Sequence, residues 1–592
     1  SHQPARSVTL SDILDQFDLL VETPDGIDKL RQFILQLAVQ GRLTEQDPND
    51  EPADQLLECV WKRKKQWLEE NDSPRRRTLG DFPDETPFEL SSSWSWTRLD
   101  DVSTYIQRGK SPNYSEVEDI PVVSQKCIQW EGFQSNRVRF IDPDSLDGYQ
   151  DYRFLRNGDL LWNSTGVGTV GRVNVYRGEL SEYRRVVADS HVTIVRTVND
   201  LVLPDYVFCW IASAYIQSRI DSEMTSGSTK QTELNTTTVR ETLLPLPPRE
   251  EQQRIVATVD WLMDECDALE ATQDARRTTQ VAAVTSSHEA LRTAEDDDDL
   301  RTAWNRLESH FDILTSTPAS VDELRQTILQ LAVQGRLTEQ DPSDTPISKL
   351  FFEMDKEKVR LDEAGNYRYQ KTMPSINGDN ASTEVALPPG WGWRRFGDLG
   401  KVIGGGTPKK SNAAYWGGDI PWVSPKDMGE TYIYDTEDHI TELALEESSA
   451  KHIPAHSVLI VGRSGILQRI LPVAINMVDC TVNQDLKVLT PFKKEMARYI
   501  QIMLKGFESF ILRELVKTGT TVESLKYTEF QLQPYPIPPL EEQKRIVETV
   551  DRLMDECDAL EQRLEKAEAT SGELFDAMLH HVDDEEEESA LA

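Results

Sequence analysis

Leu30–Pro48 reads LRQFILQLAVQGRLTEQDP, and Leu324–Pro342 reads LRQTILQLAVQGRLTEQDP. Eighteen of the nineteen positions agree, and only Phe33 against Thr327 differs. A second pair lies downstream of each. PPREEQQRIVATVDWLMDECDALE runs from Pro247 to Glu270, and PPLEEQKRIVETVDRLMDECDALE from Pro538 to Glu561, with twenty of twenty-four positions shared. The offsets, 294 and 291, are nearly equal, so both pairs belong to one long duplication. Each half therefore carries a block, a variable middle and a second block.

The first block has a helical period. Leu30, Phe33, Ile34, Leu37 and Ala38 recur at three and four, which puts an apolar stripe on a helix within residues 11–40. Gly41 is placed to end it near Gln40. A second amphipathic helix is expected from about Glu51–Ala53, with the basic clusters Arg63-Lys64-Lys65 and Arg75-Arg76-Arg77 on or beyond it. In the second block the prolines open a helix whose first N–H groups need no intrahelical partner. Ile255, Val259, Leu262, Cys266 and Leu269 then alternate by four and three, as do Ile546, Val550, Leu553, Cys557 and Leu560. That is the spacing of a coiled-coil seam. Residues 355–384 read as loop or linker, and Asp583–Glu588 as a disordered acidic tail.

The middles differ from the helical blocks and from each other. Short β-rich runs separated by Gly, Asn, Pro and Asp mark mixed α/β globules. They share a skeleton. WSWTRLDDV (Trp94–Val102) answers WGWRRFGDL (Trp391–Leu399), and DIPVVSQK answers DIPWVSPK. LLWNSTG answers LIVGRSG, and SGSTKQTEL answers TGTTVESL. Near-identical helices joined to divergent globules fit helices that meet a common partner and globules that each recognise something different. The expected order is a helical region (1–90), a globule (91–246), a central helical region (247–345), a linker (346–386), a second globule (387–536) and a final helix with its tail (537–592).

Composition bounds the function. The chain has 592 residues, 28% of them charged and 38% hydrophobic, which is ordinary for a soluble protein of several domains. No apolar run is long enough to span a membrane, no signal-peptide core opens the sequence, and six scattered cysteines without a CxxC pair fit reduced thiols in a cytoplasm. Catalytic signatures are missing: no GxGxxG, no GxxxxGK[ST], no HExxH and no Asn-Pro-Pro-Tyr. The nine histidines show no metal-ligand spacing. No enzyme activity, metal or cofactor is expected of this chain. Binding signals are better. Arg108, Lys110, Gln125, Lys126, Lys230 and Gln231 fall in loops of the first globule, and Lys409, Lys410, Lys426, Arg463, Arg469 and Lys517 in loops of the second. Such side chains suit base edges in a major groove.

The two blocks, flanking globules that open Trp-x-Trp and contain DIPWVSP and LIVGRSG, resemble the specificity (S) subunit of type I restriction–modification systems over nearly the whole chain. The resemblance implies an α/β mixed fold of two target-recognition domains separated by long helices that form an antiparallel coiled coil, a pseudo-twofold tandem repeat. Each globule would read one half of a bipartite, asymmetric target on double-stranded DNA, and the helices would act as a ruler. Half-sites on one face of the duplex would lie about one helical turn apart, ~34 Å. Ser111, Ser164, Ser424 and Ser464 join the DNA-contacting residues by the same resemblance. It also implies two methyltransferase (M) subunits that bring S-adenosylmethionine and restriction (R) subunits that use ATP and Mg. The formal charge of −38 stands against a lone DNA binder. It is accommodated if M subunits supply phosphate contacts and the cell is salt-rich. Two rival readings are an acidic DNA mimic, whose carboxylates would be spaced like phosphates, and a scaffold that binds only proteins.

Overall fold

The computed structural model describes residues 23–589 except 24, 72–78, 167, 227–232, 366–386, 518 and 520–521. It divides into two compact units, with the breaks inside long helices at Ala275/Arg276 and Ala569/Thr570. The described elements of each unit follow the same order.

In the first half, α1 (Gly26–Val39) and α2 (Ala53–Glu70) precede β1 (Ser95–Arg98) and β2 (Ser103–Arg108). Then come β3 (Asp159–Asn163), β4 (Val173–Tyr176), β5 (Val192–Thr197), helix α3 (Pro204–Ala212) and β6 (Leu243–Leu246). The 45-residue helix α4 (Arg249–Thr293) follows. In the second half, α5 (Pro318–Val333) and α6 (Ile347–Glu363) precede β7 (Gly392–Arg395), β8 (Gly400–Gly404), β9 (Val458–Val461), β10 (Val473–Asn476) and β11 (Leu486–Pro491). Helix α7 (Ala497–Gly506), β12 (Pro534–Ile537) and the 50-residue α8 (Leu540–Ser589) complete it.

Each globule is built on one antiparallel core sheet, ordered β2–β5–β3–β4 in the first and β8–β11–β9–β10 in the second, where Tyr432–Ile433 adds a parallel edge. β3 is buried at every position and β9 likewise. Such continuous burial explains why their sequences, DLLWN and VLIV, are apolar without alternation. Smaller sheets pack beside each core sheet.

The repeated blocks are repeated because they do the same work within each half. Helix α1 stops at Gly41 (φ 69°), and α5 at Gly335 (φ 67°), the left-handed conformation that glycine adopts without penalty. Arg42 N–H bonds back to the Leu37 carbonyl at 3.0 Å, and Arg336 N–H to that of Leu331 at 2.9 Å, closing the same C-terminal motif. A side chain on either glycine would also strike an indole, since a Cβ there would sit 3.0 Å from the ring of Trp94 or Trp391. Those indoles donate to buried glutamates that start the long helices: Trp94 Nε1 to Glu251 at 2.9 Å and Trp391 Nε1 to Glu542 at 3.0 Å. Arg31 grips Asp267 and Glu270 at 2.6 Å each, and Arg325 grips Asp558 and Glu561 at the same distance. Tyr206 and Tyr499 hydroxyls donate to the carbonyls of Pro245 and Pro536.

The seam residues go into the same packing. Ile255, Val259 and Cys266 are buried in the core of the first unit, with Leu262 and Leu269 half-buried against it. Ile546, Val550 and Cys557 are buried in the second, with Leu553 and Leu560 half-buried beside them. The apolar stripe at the start of each long helix thus meets its own short helix and globule, where the spacing alone pointed to a partner helix. Period constrains which face is buried and leaves open against what.

Two readings are corrected, the linker and the C-terminal tail. The expected linker from Asp355 begins as helix, because α6 extends to Glu363 and buries Leu350 and Met354. Its charged run DKEKVRLDE conceals the periodicity, since only the inner face is apolar. The acidic run Glu295–Asp299 starts a helix: Asp296 accepts from the N–H groups of Asp298 and Asp299, and Asp297–Asp299 occupy a first turn that favours negative charge. At the C-terminus the backbone stays helical to Ser589, where a disordered tail was expected. Phe17-Asp18-Leu19-Leu20 and Arg75-Arg76-Arg77 lie outside the described residues. All six cysteines are free, and burial raises the thiol pKa of Cys266 and Cys557, consistent with small core residues.

Candidate nucleic-acid interface

One end of each globule is a ring of five loops, and the two rings correspond. In the first, the loop after β2 begins at Gly109, whose Cβ, if it had one, would lie 2.0 Å from the Ala188 carbonyl. Lys110 N–H donates to that carbonyl at 3.2 Å, and Asp189 N–H donates to Val123 at 2.9 Å, beside Gln125 and Lys126. Ser164 N–H donates to His191, and Leu234 N–H to Ser164, both at 2.8 Å. In the second, the loop after β8 begins at Gly405, where a Cβ would lie 1.9 Å from the Asn483 carbonyl. Asn483 N–H donates to Val423 at 2.8 Å, Gly462 N–H to Asp485 at 2.7 Å and Leu525 N–H to Gly462 at 2.9 Å. Within Gly404-Gly405-Gly406, the second and third glycines are required for close backbone approach, Gly406 against the Ser449 carbonyl.

These rings gather the loops that carry the proposed contact residues, and the side chains then separate into groups. Lys126, Lys409, Lys410, Arg463, Arg469 and Lys517 are exposed and make no ion pair among the described residues. Ser524 lies between two of them: it bridges to Arg463 on one side and pairs with Lys517 on the other. Neighbouring strands are about 4.8 Å apart, so those two cations flank one point on the ring. Lys110 lies over the Tyr149 ring at 4.7 Å, and the exposed Ser111 hydroxyl donates to that of Ser190 at 3.1 Å. Gln125 is half-buried, and its amide oxygen accepts from Thr169 at 3.4 Å. Ser464 caps the short turn Gly465–Gln468.

Four assignments change. Ser164 is fully buried and shares a hydrogen bond with Thr193, so it holds β3 to β5. Ser424, 7% exposed, caps the turn Pro425–Asp427 through Asp427 at 2.8 Å. Both hydroxyls are satisfied within the chain, Ser164 by Thr193 and the Trp162 carbonyl and Ser424 by Asp427, which explains serine at both places without DNA. Lys426 is paired with Glu437 at 2.6 Å and Asp438 at 3.2 Å, and these hydrogen bonds raise its pKa. Arg108 is bound to Glu233 and to the Leu234 carbonyl, each at 2.6 Å. Lys230 and Gln231 lie outside the described residues. A search for cations and amides does not reveal their acidic partners, of which Glu233, directly ahead of Leu234 in QTEL, is one.

Beneath the rings, one buried position distinguishes the globules. Asp159 and Arg196 form a two-pronged ion pair at 2.6 and 2.7 Å, 0% and 5% exposed, one step along from the Leu160–Val195 strand pair. The second globule has Ser457 and Thr490 at the matching step, beside Val458–Leu489, joined by a hydroxyl hydrogen bond of 2.9 Å. Burial raises the Asp159 pKa, and the Arg196 guanidinium opposes that.

Residues 91–276 and 388–569 each match the model of the type I restriction–modification DNA specificity domain. The chain belongs to that family. A type I specificity chain with this duplication is similar along its length to known relatives. It is 29% identical to the EcoEI specificity subunit of Escherichia coli over 577 residues, 93% of both chains. It is 27% identical to the EcoAI specificity subunit of the same organism, again over 93% of each. A shorter stretch of 161 residues, 27% of this chain and 40% of the relative, is 45% identical to the Escherichia coli EcoR124I/EcoR124II specificity subunit. Among solved structures, the specificity subunit of Thermoanaerobacter tengcongensis is 19% identical, with a TM-score of 0.41 over 83% of this chain and 97% of that one. The family role is recognition of a DNA target, which agrees with a non-catalytic chain. Among the described residues no helix is long and apolar enough to cross a membrane.

Proposed function

We propose that this chain reads a bipartite, asymmetric DNA sequence for a type I restriction–modification complex, one half-site per globule. The observation that carries this reading is the pair of matching five-loop rings, built on the same backbone contacts and bearing different side chains. A common scaffold with divergent surfaces is what two different half-sites require. The exposed Lys126 in the first ring, and Lys409, Lys410, Arg463, Arg469 and Lys517 in the second, are the side chains available to bases and phosphates.

The remaining roles come with the family. Methyltransferase subunits, two per complex, supply S-adenosylmethionine and methylate adenine. Restriction subunits add ATP- and Mg-dependent cleavage. The two long helices set the distance between half-sites as an antiparallel pair. The charge of −38 is carried as a cost of DNA approach that partner cations and a salt-rich cell both reduce. A map of methylated adenines across the source genome, with and without this gene, tests the reading. Loss of one bipartite motif supports it; an unchanged map defeats it.

A further inference from the structure

In the first globule the strongest cation near the reading end is already occupied. Arg108, the last residue of β2, places one guanidinium nitrogen 2.6 Å from Glu233 Oε1 and another 2.6 Å from the Leu234 carbonyl. Glu233 is not isolated. It forms an antiparallel bridge with Thr165, and Leu234 N–H donates to Ser164 at 2.8 Å. Glu233 and Leu234 also pair with Ser226 and Thr225. Arg108 thus ties the end of β2 to the strand that leads to the Pro-rich junction, and the backbone of that strand in turn holds the turn after β3.

The second globule ties the corresponding segments by other means. Gln468 Nε2 donates to Glu523 Oε1 at 2.7 Å, and Ser464 N–H to the Glu523 carbonyl at 3.2 Å. Arg463, at the turn after β9, bridges to Ser524. The tie joins the turn after β9 to Glu523, one residue ahead of Ser524, which holds the place of Glu233 in the strand pairing, and its partner is an amide. The strand near the junction is thus held in both globules by different side chains over the same backbone contact, Leu234 to Ser164 and Leu525 to Gly462.

We infer that Arg108 and Glu233 form a latch that positions the reading loops of the first globule, and that Arg108 does not itself read a base. Both guanidinium contacts are satisfied within the chain, and reading a base would require breaking them. The pair is partly exposed, Arg108 at 22% and Glu233 at 50%, so its ionic part is screened and its effect is on loop geometry more than on global stability. Gln468 and Glu523 have the same positioning role in the second ring.

The inference rests on the half-site reading proposed above, and the test separates the two. The full-length chain is expressed in its own host, and methylated adenines are mapped for the wild type, Arg108→Gln, Glu233→Gln and the charge reversal Arg108→Glu/Glu233→Arg. A wild-type map without a bipartite motif overturns both readings. Given a wild-type motif, either single variant should lower methylation at sites matching the first half by about tenfold or relax that half, the scale of one mismatched base pair. The second half should stay unchanged. The reversal should recover the motif only in part, because it restores the ion pair and not the donation to the Leu234 carbonyl. A motif lost in Arg108→Gln and kept in Glu233→Gln means that Arg108 contacts DNA and overturns the inference. An unchanged motif in the single variants overturns it as well.

Discussion

At the scale of single residues, the two globules solve equal packing problems with unequal chemistry, and the cost of a substitution follows. Removing one member of a buried ion pair leaves the other charge without solvent or partner, a loss of about 3–5 kcal/mol. Asp159→Ala should therefore open the first globule: hydrogen exchange across β3 and β5 should become much faster there and stay unchanged in the second globule. Ser457→Ala, at the matching place, removes a neutral hydrogen bond and should cost only about 1 kcal/mol. His288 is a second such case. It is fully buried on α4, with Nδ1 3.0 Å from the Thr327 hydroxyl, where the first half has Phe33. Burial first, and Arg292 second, lower its pKa below the ordinary 6.5. The folded state then binds fewer protons than the unfolded, so stability is full above about pH 6.5 and falls as the pH drops below it. His288→Gln should flatten that part of the second unit's stability curve; a curve identical to wild type would exclude His288 as its origin.

At the scale of elements, the duplication made much of the architecture readable. Gly41 is legible as a helix stop, and the prolines at 247–248 and 538–539 as helix starts. The partners of those elements were harder to see. Ile255, Val259 and Cys266 have a seam's spacing, but the spacing is the same whether the facing surface is another helix or a globule. Thus Val259→Asp, a charge placed in the core of the first unit, should make that unit sensitive to protease while the second resists. Val550→Asp should do the reverse. Equal sensitivity of both units to either change would mean that the long helices fold as one body. Helix α6 was missed because a solvent-facing charged run dominates a helix with few buried positions. Not all of the candidate contact residues lie in loops: Arg108 ends β2, and Lys517 belongs to the short strand Val516–Lys517. The roles of individual side chains are not legible, because a serine engaged inside the fold and a serine that meets a phosphate look alike in sequence: Ser424 and Ser164 are both of the first kind.

At the scale of the whole molecule, the unit break at Ala275/Arg276 defines where the ruler can be lengthened. Val284 and Leu291 on the far part of α4 are packed in the second unit against Ala303 and Leu307, so an insertion beyond Val284 would damage that packing. Four residues inserted between Ala275 and Arg276 add about 6 Å and turn the distal part by about 40°. The genome-wide methylation motif should then keep both half-sites and change the number of bases between them; an unaltered gap would contradict the ruler. Replacing residues 387–536 with another globule of the family should change one half-site and spare the other. The strands that open and close each globule lie side by side, Ser95–Arg98 against Leu243–Leu246 and Gly392–Arg395 against Pro534–Ile537. The chain therefore enters and leaves each globule through one doorway, with one near-identical block upstream of it (Leu30–Pro48 and Leu324–Pro342) and the other directly after it (Pro247–Glu270 and Pro538–Glu561). For the gene, this means that homologous recombination has matching flanks on either side of each variable segment. A crossover there can deliver a new globule with its doorway intact, so a lineage can acquire a new target in one genetic event without first passing through a chain that fails to fold.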